Sequence, residues 1–487
     1  MTKTDILDSL CIYRWSYPII DFGKNQIRTC CKTIMPGYEN SSQTFDSFID
    51  FEYMQQRRLE MFQGIRHESC SACWRSEDQN IPSMRHAVIP DGWVEQESKS
   101  NQPDKLSNES VLVNTRTQEQ VKIADIDIGH NILKSTQPSM IEIILSNHCD
   151  MNCVYCSPYF SSTWLTQNAA IWAESTGWKD FEASNGYERL KQRVSAKPSE
   201  SFNEEFYKWF KKVLSTSNNL RFGFIGGEPV INPKFFIMID KIESIIKKIP
   251  IANRPHSGLS TNILGQIQDN KPALFIVSNL NFKTKQKEKF YEKLGSLSKL
   301  FSIEIVVSIE GIGSRAEYVR MGLDWNRFSQ NLNELLEMKD IDVVIQPSIN
   351  NLSLSGLPTF FNWVIELTKK HNRHIMLGKN MVTDPDHFHP LAMPLEYKKY
   401  LERALEMISL SNVDSKFNFD RHAGSWQDYQ YFLTGLIDEF DSIPELNNEQ
   451  KTKLINMLTK LDEKRHHKFS NIFPEMINTF ESERIYK

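Results

Sequence analysis

The chain has 487 residues, too many for one small domain, and length alone suggests two or three. Hydrophobic residues make up 40% of it, enough for a real core, and a net charge of −4 argues against a strong field for nucleic acid or a membrane surface. The opening Met1-Thr-Lys-Thr has no basic stretch leading into an apolar run, and no apolar run reaches the roughly 18 residues of a spanning helix, so a cytoplasmic protein without signal peptide is expected.

The eight cysteines are Cys11, Cys30, Cys31, Cys70, Cys73, Cys149, Cys153 and Cys156, and none follows. In a reducing compartment such clustering points to metal or catalysis rather than disulfides. Five lie in the first 93 residues, with Gly23 between Cys11 and the Cys30-Cys31 pair. A helix is expected over about 45–62, with Gly64 as the residue just past its end. Cys70-x2-Cys73 has the bite of a metal-ligand pair. With Cys11 and one of Cys30 or Cys31 it would complete four thiolates, for zinc or an iron–sulfur cluster alike, and taken alone it could also be a redox dithiol. The stretch that follows, about 94–121, is polar with little periodicity and reads as an exposed loop within a linker over 94–138.

From Ile141 strands alternate with helices, the pattern of a parallel sheet. The first strand, Ile141 to Leu145, runs into Cys149-x3-Cys153-x2-Cys156. Three thiolates on one loop suit iron–sulfur or zinc, and a count of three leaves one metal corner open. A zinc knuckle with His148 as a poor fourth ligand is the plainer alternative. A helix over about 160–172, an insertion over about 175–200 and a helix with Phe206, Trp209, Phe210, Val213 and Leu214 on one face follow. The second strand, Arg221 to Ile225, runs into Gly226-Gly227-Glu228-Pro229, where glycines allow close approach to a ligand and Glu228 offers an acceptor.

Four more strands are expected at 273–277, 303–307, 343–345 and 374–377. Helices are expected at 233–246, 284–298, 325–338 and 355–371, and a loop-rich insertion at 250–271. Polar residues close the strands: Ser278 and Asn279, Ser308 and Glu310, Gln346. In α/β folds ligands sit at these C-terminal strand ends. Residues 394–487 read as helical, with apolar stripes that belong to a core, and His466-His467 is left without a metal.

The Cys149, Cys153, Cys156 spacing resembles the signature of the radical SAM superfamily, and Gly226-Gly-Glu-Pro229, after the second strand, resembles the family's second motif. The resemblance implies an α/β fold with a partial (β/α)6 TIM-like barrel over 139–393. It implies a [4Fe-4S] cluster whose open iron binds S-adenosylmethionine (SAM) and whose electron cleaves SAM to a 5′-deoxyadenosyl radical. By the same resemblance Tyr155 lies beside the adenine, and Gly226, Gly227 and Glu228 meet the SAM amino group. Ser278, Asn279, Ser308, Glu310 and Arg320 are further SAM contacts, Glu310 standing where the family usually has Asp.

The N-terminal cysteines resemble a twitch (half-SPASM) module, here at 1–93 and preceding the barrel, with an auxiliary iron–sulfur cluster, [4Fe-4S] or [2Fe-2S]. The expected reaction is oxidation or crosslinking of a ribosomally made peptide or protein, with an external electron donor of flavodoxin or ferredoxin type. Oxidation of a small molecule such as a sugar or aminocyclitol is the alternative substrate class. A non-catalytic iron–sulfur carrier or scaffold is the alternative from another class.

Overall fold

The computed structural model describes residues 11, 17–30, 56, 60–61, 64–78, 93–96, 111–114, 120–122, 138–177, 186–194, 200–257, 270–417, 424–465, 467–477 and 479. Near the start, β1 (Pro18–Asp21) and β2 (Gln26–Thr29) form an antiparallel hairpin around Gly23. Of the helix expected over 45–62, Gln56, Glu60 and Met61 are described and are helical. Gly64 follows with φ +75°, as a residue just past a helix end should. Helix α1 (Ser71–Asp78) carries Cys73.

The polar stretch expected as a loop instead holds β3 (Trp93–Gln96), β4 (Val111–Asn114) and β5 (Gln120–Lys122), an antiparallel three-stranded sheet. Strands of three or four residues are too short to impose a period of two on a polar sequence.

The alternating region follows: β6 (Met140–Ile144), β7 (Asn152–Cys153), α2 (Ala169–Thr176), α3 (Gly186–Val194), α4 (Glu200–Thr216), β8 (Arg221–Ile225) and α5 (Pro233–Lys247). After it come β9 (Ala273–Ser278), α6 (Thr284–Leu297), β10 (Ser302–Ser308), α7 (Gly313–Val319), β11 (Arg320–Met321), α8 (Trp325–Leu336) and β12 (Ile341–Gln346). Last are β13 (Ser348–Ile349), α9 (Leu357–His371), β14 (Met376–Leu377) and β15 (Asn380–Met381). The helix expected over about 160–172 starts at Ser162 and passes through a π-helical turn, Trp164–Asn168, into α2. The segment read as an insertion contains α3.

The main sheet has eight strands in the order β14-β12-β10-β9-β8-β6-β1-β2. The β9–β10, β10–β12 and β12–β14 pairs are parallel, and the β1–β2 pair is antiparallel. β10 shows why the strands were legible: Ile303, Ile305, Val306 and Val307 are all buried, the apolar-rich run of a strand covered on both faces, interrupted only by the buried Glu304. Each such side chain contributes about 1.5–3 kcal/mol when fully buried. In α8, Asp324 caps the start by accepting from Arg327 N at 3.0 Å, and Phe328, Leu332, Leu335 and Leu336 form the buried stripe.

Beyond β14, Leu377 N donates to Gly424 O at 3.0 Å and Trp426 Nε1 donates to Ile375 O at 2.8 Å. The C-terminal stretch is helical: α10 (Lys398–Ser411), α11 (Val413–Lys416), α12 (Trp426–Glu439), α13 (Asn448–Asp462) and α14 (Phe469–Ile472). Among the described residues no helix is long and apolar enough to cross a membrane.

Two compact units divide the chain. One comprises 1–143, 197–222 and 242–272; in it Phe22 meets Phe202 and Phe206 edge-on, and Phe210 packs on Phe222. The other comprises 144–196, 223–241 and 273–487; in it Phe235 joins Phe224 to Phe290.

Candidate metal and cofactor site

The thiol loop belongs to the second unit, and its backbone is tied down by hydroxyls that follow it. Cys149 O accepts from Ser162 Oγ (3.1 Å) and Thr163 Oγ1 (2.6 Å), and Met151 O accepts from Ser161 Oγ (2.6 Å). Trp164, wholly buried, donates from Nε1 to Cys153 O at 2.8 Å. These bonds pair two of the loop's carbonyls with hydroxyls at the start of the helical stretch, which begins at Ser162. The run Ser161-Ser-Thr163-Trp164 was the available signal, and sequence reasoning passed over it.

Burial is the first cause that raises all three thiols, Cys153 to about 12, Cys156 to about 11 and Cys149 further. Each of Cys149 and Cys153 also feels neighbouring thiols, Cys149 feels Glu228, and Arg320 pulls Cys153 and Cys156 back down. Among the described residues no three His, Cys, Asp or Glu side chains converge as a formed metal site. The structure therefore places the three thiols as electrostatic neighbours on one loop.

The glycine turn is locked to that loop. Gly226 and Gly227 have φ +78° and +57°, left-handed values that suit glycine. A Cβ on Gly227 would lie 2.4 Å from His148 O, and one on Gly226 would lie 2.9 Å from Ile144 Cγ2. Glu228 N donates to His148 O at 2.7 Å. The Glu228 side chain turns inward: Oε2 accepts from Asn279 N (2.7 Å) and Oε1 from Val230 N (3.3 Å). Burial pushes its carboxyl up to about 8, the Asn279 N–H pulls down and Asp150 pushes up. Glu228 is thus a brace between the β8 and β9 strand ends, with both oxygens committed to the chain itself.

Ser278 Oγ accepts from Leu280 N at 3.0 Å, and Asn279 Nδ2 donates to Asp150 Oδ1 at 3.0 Å. Asn281 bridges Asp150 to Gly322 O, and its Oδ1 accepts from Arg327. Ser308 ends β10 half-buried, opposite Gln346 of β12.

On the other side of the loop, β7 pairs with β11 so that Cys153 lies opposite Arg320. Arg320 grips Glu310 at 2.6–3.1 Å, with both side chains buried, and its Nη1 is 4.0 Å from Cys153 Sγ. Burial alone would lower Arg320, but Glu310, Tyr155 and Cys153 outweigh it and hold the guanidinium charged. Tyr155 Oη donates to Glu310 Oε1 at 3.1 Å, and its ring lies under the Arg320 guanidinium, 5.9 Å from centroid to Cζ. Burial raises the Tyr155 hydroxyl, and Ser348, whose Oγ accepts from Asn380 Nδ2 at 2.9 Å, is among the groups that pull it back down. Sequence reasoning did not single out Ser348, Asn380, Asp150 or Asn281 as site residues.

No protein-family model matches the chain, and a search of curated proteins finds no match.

The N-terminal cysteines lie in the first unit. Cys30 follows β2 with φ +63° and donates N–H to Tyr17 O at 2.9 Å. Cys70 ends a 3-10 turn that leads directly into α1, which bears Cys73 three residues on. Cys11, Cys30 and Cys73 are buried, and Cys31 lies outside the described residues.

Proposed function

We propose that the chain is a radical SAM enzyme with a second, auxiliary iron–sulfur site. One observation carries the reading: the loop of Cys149, Cys153 and Cys156 and the Gly226-Gly-Glu-Pro229 turn, about seventy positions apart in sequence, are joined by the Glu228 N to His148 O bond and the close approach of Gly227. The donor set fits a cluster. Three half-buried thiols, each raised by burial, need a cationic partner to ionise, and the Arg320 guanidinium beside Cys153 favours the thiolate. The consecutive order of the strands from β6 to β14 in the main sheet suits a partial (β/α)6 barrel.

Cys149, Cys153 and Cys156 would hold the [4Fe-4S] cluster. When bound, that cluster and SAM together supply one-electron cleavage of the sulfonium to a 5′-deoxyadenosyl radical, the hydrogen-abstracting species. The chain's own residues position and exclude. The backbone of the glycine turn would meet the amino group, while Glu228 braces the turn against the end of β9. Arg320 holds a fixed positive charge at Cys153, and Glu310 holds the Tyr155 ring that would lie beside an adenine. Cys70, Cys73 and two of Cys11, Cys30 and Cys31 would hold the auxiliary cluster of a twitch-like module, with the β1–β2 hairpin supplying Gly23 and Cys30. The substrate is a ribosomally made peptide or protein, and the compartment is a reducing cytoplasm.

The test is anaerobic reconstitution, counting iron and sulfide, then dithionite plus SAM with 5′-deoxyadenosine as the readout. Two four-iron clusters give about eight irons per chain. Cys153→Ala abolishes SAM cleavage, whereas Cys73→Ala retains some deoxyadenosine and loses product. Reductive cleavage surviving in Cys153→Ala would overturn the assignment.

A further inference from the structure

Beside the thiol loop lies a cavity of about 610 Å³ that the SAM contacts do not use. His148, Asp150, Asn281, Lys283, Lys285 and Arg327 line it. His148 and Asp150 are the two chain neighbours of Cys149, so the thiol loop itself forms part of the cavity wall.

The charge of this face is lopsided. Its one lining carboxylate, Asp150, is occupied by the side-chain amides of Asn279 and Asn281. Arg327 is steered by Asn281 Oδ1 at 2.9 Å, a neutral acceptor, with Asp324 at 3.6 Å behind it. Lys283 and Lys285 are exposed, and among the described residues neither is paired with a carboxylate. The lining is polar throughout except for Ile231. This is a surface for an acidic partner rather than an apolar segment.

We propose that this face docks an acidic one-electron carrier protein of flavodoxin or ferredoxin type. The inference rests on the radical SAM reading, which requires an electron from outside the chain. In the transfer the carrier is oxidised by one electron and the group on the thiols is reduced by one, and no atom changes hands. Seating the carrier over His148 and Asp150 puts the thiol loop at the contact itself.

The test is the double variant Lys283→Glu/Lys285→Glu with flavodoxin as the probe, oxidised for binding and reduced for turnover. Binding of oxidised flavodoxin to the metal-free chain, followed by biolayer interferometry at low salt, weakens at least about tenfold in the variant, and parent binding weakens as salt is added. Carbodiimide crosslinks between parent and flavodoxin map to Lys283 or Lys285. In the reconstituted enzyme, deoxyadenosine formation driven by reduced flavodoxin falls similarly, while formation driven by dithionite is unchanged. Equal binding by parent and variant, crosslinks confined to other lysines, or no flavodoxin binding by the parent would each overturn the docking site. Absence of dithionite-driven cleavage in the parent would instead count against the radical SAM reading, and the binding data would still decide the docking face.

Discussion

Replacing Glu310 with Gln removes one charge and almost no volume from the most enclosed ion pair of the site. Glu310 accepts three bonds from Arg320 and one from Tyr155, and the side chains of the pair are 2% and 6% exposed. The amide of Glu310→Gln would keep a single carbonyl acceptor and turn its NH2 group toward donors. Arg320 would remain buried and charged, with the Cys153 sulfur at 4.0 Å and Tyr155 beside it but no carboxylate to compensate it. Breaking one side of a buried pair costs about 3–5 kcal/mol, matching roughly 4 kcal/mol for unit charges about 4 Å apart at an effective dielectric of about 20. Urea unfolding of the metal-free protein under reductant measures it. Glu310→Gln/Arg320→Met recovers most of the loss, because no uncompensated charge is left. A single variant within about 1 kcal/mol of the parent, the range of an exposed pair, would refute the reasoning.

Gly227→Ala combines a left-handed backbone with a Cβ 2.4 Å from His148 O. The conformation costs about 1–2 kcal/mol, and displacing the Glu228 N to His148 O bond adds about 1 kcal/mol. Gly177→Ala shares the conformation, at φ +67°, but meets nothing within 4 Å, so it reports the first cost alone. Equal stability losses, with equal iron content after reconstitution, would remove the locking role assigned to Gly227. His387 is buried, and burial lowers it to about 4 from an ordinary 6.5. Below pH 6.5 the unfolded chain takes up a proton that the folded chain refuses, so the contribution is complete above pH 6.5 and declines toward pH 4. Between about pH 7 and 5 the loss is about 2 kcal/mol, and His387→Gln flattens that part of the stability–pH curve. An unchanged slope in the variant would show that His387 titrates normally.

What the sequence made legible follows from what each signal depends on. Strands covered on both faces announce themselves as apolar runs, and β8 has the expected bounds, Arg221–Ile225. Helix α6 ends within one residue of expectation because Phe290, Leu294 and Leu297 set its stripe. The β1–β2 hairpin and the β3–β4–β5 sheet were missed because strands of three or four residues hold no periodicity to read. At the site, residue types were visible but pairings were not. Glu310 and Arg320 were each legible as strand-end residues. That they grip one another, with Tyr155 added from 155 positions away, depends on the fold bringing β11 alongside β7. Glu228 was read as an acceptor for a ligand, but only the Asn279 N–H in space shows where its oxygens go.

The terminal position of β14 has a consequence for solubility. A two-residue strand at the end of a parallel sheet would normally offer its outward amide and carbonyl groups to any extended chain that drifted past. Here Gly378 N points back to Ile345 of β12, while the outward-facing Leu377 N and Ile375 O are taken by Gly424 and Trp426. Gly424 can lie this close because it has no side chain; a Cβ there would come within 3.2 Å of Met376. The sheet is closed at that end to strand addition by a second molecule, so edge-to-edge aggregation has no template there.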